Sequence, residues 1–129
     1  MEQEHTKALN ELSHRVIGAA IEVYRHLGPG FLESVYEEAL CYELMLRSIP
    51  YERQFNVAVQ YKNHVVGAGR LDLLIDRCLV VELKAIELIL PIHIAQTMSY
   101  LKTTGYTLAL LINFNVTALR NGIKRVILS

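Results

Sequence analysis

Cysteine is scarce in this sequence. Only Cys41 and Cys78 are present in 129 residues, and they do not form a CxxC motif. Two distant cysteines in a chain with no sign of secretion favour free thiols over a disulfide, which predicts a cytoplasmic protein. The chain also lacks the His and Cys spacing of a zinc site, so no role is assigned to four histidines, His5, His14, His26 and His64.

Long apolar runs are missing as well. No stretch approaches the ~18 consecutive apolar residues of a transmembrane helix, because Glu82, Lys84 and Glu87 interrupt the most apolar region. The first segment, MEQEHTKALNE, is polar and acidic, unlike a signal peptide. We therefore expect a protein that neither crosses a membrane nor is exported.

Several enzyme motifs are absent. Gly67-Ala68-Gly69 is too short for a GxGxxG or Walker-type phosphate loop, and it lies between predicted strands rather than before a helix. The chain has no GxSxG motif, and neither cysteine has a histidine placed to activate it. These absences argue against nucleotide cofactors and against acyl-transfer catalysis.

The net charge is zero, yet the charges are unevenly distributed. Residues 1–52 carry nine acids and four bases, whereas residues 53–129 carry four acids and nine bases. The basic second half can offer a positive surface to an anionic partner, although ordinary solvated faces explain such a distribution equally well. The neutral balance argues against strong non-specific binding of nucleic acid.

The spacing of apolar residues predicts three helices and five strands. Apolar side chains recur at three- and four-residue steps in three segments, about His5–Leu27, Leu32–Arg47 and Pro91–Gly105. Strands are predicted by alternation or by short apolar runs, with a turn at Lys62-Asn63 leading to Val65-Val66. The strand segments are Phe55–Gln60, Arg70–Ile75, Leu79–Lys84, Thr107–Asn113 and Ile123–Leu128. The order α-α-β-β-β-α-β-β predicts one α/β domain over residues 1–129, with helices flanking a mixed sheet.

Three charged residues lie in the apolar segment GRLDLLIDRCLVVELKA. Glu82 and Lys84 are two apart in a strand and therefore share a face with Val80. Asp72, on the preceding strand, lies opposite Glu82 only if the two strands are joined by a three-residue loop or interrupted by a bulge. We predict such a loop or bulge near Asp76.

Two chemical interpretations fit this cluster. In one, Lys84 neutralises Glu82 in an ion pair and Asp72 is solvated. In the other, the two carboxylates bind Mg²⁺, which prefers oxygen ligands, and the nearby ammonium acts on water or phosphate. The spacing alone does not separate them, because an acid followed by an acid-x-Lys pattern is common.

Further motifs resemble those of the PD-(D/E)XK nuclease superfamily. Asp72 and Glu82-Leu83-Lys84 match its acid and acid-x-Lys elements, with Leu71 in place of the usual proline. The segment GFLESVY, residues 30–36, resembles the signature of its GxxExxY group, and QTMSY, residues 96–100, resembles the QxxxY helix element. The resemblance covers residues 10–128 and implies a nuclease-like α/β sandwich.

The resemblance also implies roles for individual residues. Asp72 and Glu82, with Glu33 and the backbone carbonyl of Leu83, would bind Mg²⁺ or Mn²⁺. Lys84 would act on the attacking water and the phosphate, and two helix residues, Gln96 and Tyr100, would complete the site. His93 lies on the same helical stripe and is a weaker candidate, whereas Tyr36 is expected to pack in the core.

Two classes of function follow. The first is a metal-dependent nuclease that hydrolyses phosphodiester bonds in DNA or RNA. The second is a non-catalytic domain of the same fold that binds nucleic acid or another protein. A homodimer that forms its groove only on association is a further alternative, because it would compensate for the lack of net positive charge.

Overall fold

The computed structural model describes residues 2–129, and its elements follow the predicted order. The helices are α1 (Glu2–Leu27), α2 (Glu33–Leu46) and α3 (Pro91–Thr104), with a short 3-10 helix at Leu119–Gly122. The strands are β1 (Tyr51–Tyr61), β2 (His64–Ile75), β3 (Leu79–Lys84), β4 (Leu108–Asn113) and β5 (Ile123–Ile127). Within the described residues, no helix is long and apolar enough to cross a membrane.

The five strands form one mixed sheet in the order β1-β2-β3-β4-β5. Neighbouring strands are antiparallel except β3 and β4, which are parallel and connected through α3. A parallel pair requires such a crossover, because its strands begin at the same end of the sheet. The predicted mixed sheet is therefore confirmed.

Each face of the sheet carries its own apolar cluster. On one face, β3 contributes Leu79, Val81 and Leu83 to a cluster that includes buried side chains of α1 and α2. On the other face, Val80 packs in a smaller cluster with Leu101 of α3. The predicted alternation along β3 is confirmed, and it directs Glu82 and Lys84 toward the face that α3 covers.

The β1–β2 hairpin is longer than the sequence pattern predicts. Val65-Val66 and Arg70–Ile75 belong to one strand, β2, rather than to separate segments. Lys62 and Asn63 form the predicted turn, with φ values of 50° and 67°, as a two-residue hairpin turn requires. The pattern missed the continuity because most side chains near the turn are exposed on both faces, which removes the apolar alternation.

The connection between β2 and β3 sets their register. Ile75 pairs with Leu79, which leaves Asp76, Arg77 and Cys78 as a three-residue loop. Continuing this register by one step past the Leu73–Val81 pair places Asp72 opposite Glu82. The predicted odd-numbered loop is therefore confirmed.

Tyr36 connects the two N-terminal helices. Its hydroxyl donates to the carbonyl of Gly28 at 2.5 Å and accepts from the amide of Phe31 at 3.2 Å. Its ring is fully buried and stacks on the ring of Phe114, with 4.5 Å between the ring centroids. Since these contacts fix the turn between α1 and α2, they determine where Glu33, the first residue of α2, is placed.

Replacing Tyr36 by Phe keeps the stacked ring and removes both hydrogen bonds of the hydroxyl. We expect Tyr36→Phe to lower the free energy of unfolding by about 1–2 kcal/mol, measured by urea denaturation. Tyr42→Phe is the matched control, since Tyr42 is 61% exposed, and should change stability by less than about 0.5 kcal/mol. Equal stabilities for the two variants would contradict this role of the hydroxyl.

Candidate active site

The site begins where β2 separates from β3. Leu71 belongs to the cluster on the α3 face, whereas Leu73 belongs to the cluster on the opposite face. In a regular strand, residues two apart share a face, so the strand turns over at Asp72. The paired register between β2 and β3 ends at Leu73 and Val81, which leaves Asp72 and Glu82 at the point of separation.

Side chains bridge the two strands at this point. The Oδ2 atom of Asp72 accepts a hydrogen bond from the amide of Leu83 at 2.8 Å. The Oε1 atom of Glu82 accepts a longer one from the amide of Asp72 at 3.4 Å. The two carboxylates therefore satisfy backbone donors where the strands diverge.

Burial raises the pKa values of these two carboxyl groups. The side chain of Glu82 is buried, and this burial, followed by the charge of Asp72, raises the pKa of Glu82 to about 9. Burial is also the main cause that raises the pKa of Asp72. The pKa of Glu33 is raised by burial and then by the charge of Asp72. The ionised form is therefore disfavoured in all three acids, and a proton or a cation would stabilise them.

A cavity of about 510 Å³ opens beside the carboxylates. Six predicted site residues line it, namely Glu33, Asp72, Glu82, Lys84, Gln96 and Tyr100. They come from four elements, α2, β2, β3 and α3, that are far apart in the sequence. Their catalytic and metal-binding roles stay predictions, but the fold places all six at one cavity.

Lys84 ends β3 without forming the ion pair that one interpretation required. Among the described residues, no salt bridge joins Lys84 to Glu82 or to another carboxylate. Its charge nevertheless lowers the pKa values of Asp72, Glu82 and Glu33, against the larger effect of burial. The ammonium group is therefore near the acids but is not bound to one of them.

The backbone that follows Lys84 is fixed by Asn113. The Oδ1 atom of Asn113 accepts from the amide of Ile86 at 3.1 Å, and its Nδ2 donates to the carbonyl of Ile86 at 2.9 Å. The amide of Phe114 donates to the carbonyl of Lys84 at 3.0 Å. These bonds hold the end of β3 against β4, so the position of the Lys84 backbone is set by the pairing of the two strands.

The helix α3 supplies the opposite wall of the cavity. Gln96, Ser99, Tyr100 and Thr103 line it, at the spacing of one helical face. The ring of Tyr100 lies against Gly69, where an added Cβ would approach its Cε1 atom to 2.7 Å. Only glycine therefore fits at position 69 while the ring keeps its place.

His93 lies outside the cavity lining. Its Nδ1 atom accepts a hydrogen bond from the amide of Leu90 at 2.8 Å, at the start of α3. This bond satisfies a helix-terminal donor. Of the three α3 residues on the predicted stripe, Gln96 and Tyr100 line the cavity and His93 does not.

Sequence reasoning missed four residues of the lining, namely Val59, Arg70, Ser99 and Thr103. Arg70 precedes Asp72 by two residues, and Ser99 and Thr103 share a helical face with Gln96, so proximity to the motifs was the available signal.

Glu37 shares a helical side with Glu33 but does not line the cavity. It accepts from Arg53 and from Gln54, each at 2.8 Å, and ties α2 to β1.

The chemistry of the donors fits a divalent cation. Asp72, Glu82 and Glu33 supply hard carboxylate oxygens, and burial raises the free energy of their combined charge. In the part of the chain that is described, no group of three or more His, Cys, Asp or Glu side chains is arranged to hold a metal ion.

The raised pKa of Glu82 has a consequence for stability in buffer containing EDTA. We expect the free energy of unfolding to fall as the pH rises from about 5 to about 9. The folded protein keeps a proton on Glu82 up to a pKa of about 9, whereas the unfolded chain releases it near 4.5. This stabilisation is complete below the unfolded pKa and is lost as the pH passes the folded pKa.

Glu82→Gln tests that expectation, because glutamine cannot ionise at this position. Its decline in stability between about pH 5 and 9 should be shallower than that of the wild type, measured by urea unfolding at each pH. Identical slopes for the two proteins would show that Glu82 does not hold the proton.

Comparison with protein families identifies one family model that matches most of the chain. A family model described as the PD-(D/E)XK nuclease superfamily matches residues 10–126 of the chain. Comparison with curated proteins and with solved structures finds no match. The matched region includes every residue of the cavity lining and most of the 129 residues. The chain therefore belongs to the PD-(D/E)XK nuclease superfamily.

Proposed function

We propose that this protein is a Mg²⁺- or Mn²⁺-dependent nuclease that hydrolyses phosphodiester bonds in DNA or RNA. Membership of the superfamily suggests a nuclease acting on nucleic acid. The observation that carries the proposal is the meeting of three acids, a lysine, a glutamine and a tyrosine at one cavity. A merely structural ion pair would not need residues from four separate elements.

The residues that would hold the metal are Asp72, Glu82 and Glu33, with the backbone carbonyl of Leu83. The bonds to backbone amides involve Oδ2 of Asp72 and Oε1 of Glu82, so the second oxygen of each carboxylate would face the cation. A divalent cation bound here would neutralise the coupled acids, polarise the phosphate and lower the pKa of a bound water. The raised pKa values support this, because acids whose ionised form burial disfavours are stabilised by a nearby cation.

The remaining residues act on the substrate and the attacking water. The Nζ atom of Lys84, which forms no ion pair among the described residues, is free to stabilise negative charge on the phosphate or to orient the water. The side-chain amide of Gln96 would hold that water by hydrogen bonding. Tyr100 would keep the wall of the cavity in place through its contact with Gly69.

We also assign the chain to the GxxExxY group of the superfamily. The segment GFLESVY supports this assignment, since it places Glu33 at the cavity and Tyr36 in the contact that fixes α2. A cytoplasmic location is part of the proposal. Cys41 and Cys78 are both unpaired, as expected in a reducing compartment.

The direct test is incubation of the purified protein with single- and double-stranded DNA and RNA, in Mg²⁺, in Mn²⁺ or in EDTA. We expect cleavage with either metal and none with EDTA or with Asp72→Asn. Mn²⁺ should also raise the melting temperature of the wild type, because it binds the folded state alone, and this rise should be smaller for Asp72→Asn. A wild type that cleaves no substrate under any condition would refute the nuclease and leave a binding domain as the alternative.

Lys84→Ala separates catalysis from structure. An ammonium group that acts on developing phosphate charge contributes mainly in the transition state, so the variant should lose about 10²-fold or more in kcat. Its affinity for nucleic acid and its melting temperature should stay near those of the wild type, because no ion pair is broken.

A loss of stability in Lys84→Ala would indicate a structural role for the lysine. If Lys84 were only the structural partner of Glu82, its removal would leave a buried carboxylate unpaired and cost about 3 kcal/mol in stability. Loss of activity would then follow unfolding, and the double variant Glu82→Gln/Lys84→Met would recover the wild-type melting temperature. A well-folded Lys84→Ala protein with wild-type cleavage would exclude the catalytic role.

A further inference from the structure

The β1–β2 hairpin extends beyond the rest of the sheet. β2 pairs with β3 only over residues 73–75, whereas β1 and β2 pair along nearly their whole length. We call residues 58–68, the outer part of this hairpin, the arm. Every residue of the arm is exposed except Val59, which is half-buried. The arm therefore presents its side chains to solvent. Packing in the core does not explain which residue types occur there.

The arm and its base lack acidic residues. No Asp or Glu occurs between residues 54 and 71, although the chain contains 13 of them. Lys62, His64 and Arg70 supply basic groups in this stretch, and none of them forms a salt bridge within the described part of the chain. This charge pattern fits an anionic partner.

The arm also exposes apolar surface. Tyr61 is 63% exposed, and Val65 and Val66 are 56% and 58% exposed. The ammonium of Lys62 lies 5.4 Å from the centroid of the Tyr61 ring. An exposed aromatic ring beside cations is the combination that binds unpaired bases, which stack on the ring while the cations contact the backbone.

The arm is continuous with the cavity. Val59 of the arm and Arg70 at its base line the same cavity as Asp72 and Glu82. Gly67 pairs with Val59, and no atom lies within 4 Å of the position that a Cβ would take at Gly67. A polymer that lies along this strip can therefore approach the backbone closely at Gly67, and the cavity that Val59 and Arg70 line extends to the acids.

We propose that the arm binds a single-stranded segment of nucleic acid and guides it into the cavity, an inference that rests on the proposed action on nucleic acid. A duplex fits these observations less well, because its bases are stacked inside and cannot contact Tyr61, Val65 or Val66. Duplex binding relies on many phosphate contacts, whereas the arm and its base offer three basic side chains in a chain of zero net charge.

The test is the fluorescence anisotropy of a labelled single-stranded DNA of about 20 nucleotides, of the same strand as RNA, and of the DNA duplex, all in EDTA. The wild type should bind single strands more tightly than the duplex. Tyr61→Ala should weaken single-strand binding by about tenfold, the scale of one lost base stack. Tyr42→Ala is the matched control, since Tyr42 lies on α2 with a similar exposure of 61%, and it should leave the affinity unchanged.

Salt dependence tests the arm independently. Lys62→Ala should reduce the slope of log affinity against log salt by about 0.7, the value of one phosphate contact in a single strand. Lys124→Ala, on β5 at the opposite edge of the sheet, should leave the slope unchanged. Both lysines are exposed, so both variants should remain folded. Neither lines the cavity, so both should keep the metal response.

The outcomes test the binding role of the arm separately from the proposed nuclease activity. A wild type that binds single strands no better than the duplex, or not at all, would overturn the role of the arm, as would equal affinities of Tyr61→Ala and Tyr42→Ala. Cleavage in Mg²⁺ is scored separately. Binding through Tyr61 without any cleavage would support the arm and refute the nuclease, whereas cleavage that is insensitive to Tyr61→Ala would refute the arm alone.

Discussion

Two buried carboxylates between diverging strands are the constraint on which the rest of this structure depends. Placing charged groups inside a protein costs several kcal/mol per ion unless hydrogen bonds or opposite charges compensate. Here Asp72 and Glu82 accept hydrogen bonds from backbone amides at the point where the pairing between β2 and β3 ends. The same separation of strands opens the cavity and releases the outer hairpin from the sheet.

The two apolar clusters offset the cost in stability of separating these strands. β3 and β4 are buried almost completely between α1 and α2 on one face and α3 on the other. Their side chains supply hydrophobic stabilisation that the site itself does not contribute. Because hydrogen bonds from Asn113 and Phe114 hold the end of β3, Lys84 projects from the end of a buried strand. The acids and the amine are thus placed by packing rather than by pairing with each other.

Much of this arrangement was predictable from the sequence, because it follows from periodicity. The alternation in LVVELK placed Glu82 and Lys84 on one face, and the requirement that Asp72 meet Glu82 predicted a three-residue loop or a bulge, of which the structure has the loop. The family motifs pointed to Glu33, Gln96 and Tyr100, and the structure brings all three to the cavity. Periodicity did not reveal the change of face at Asp72, the use of Glu37 by Arg53, or the capping role of His93. These features depend on contacts between distant segments, which no local pattern encodes.

The three-residue loop at Asp76, Arg77 and Cys78 has a consequence for how this chain can vary. Surface loops usually accept insertions and deletions. Side chains in a strand alternate between faces, so gaining or losing one residue in this loop, with the strands otherwise paired in sequence, would turn β3 over relative to β2. Leu79, Val81 and Leu83 would then leave the larger cluster, and Glu82 would enter it. The length of this loop is therefore as constrained as the identity of a core residue.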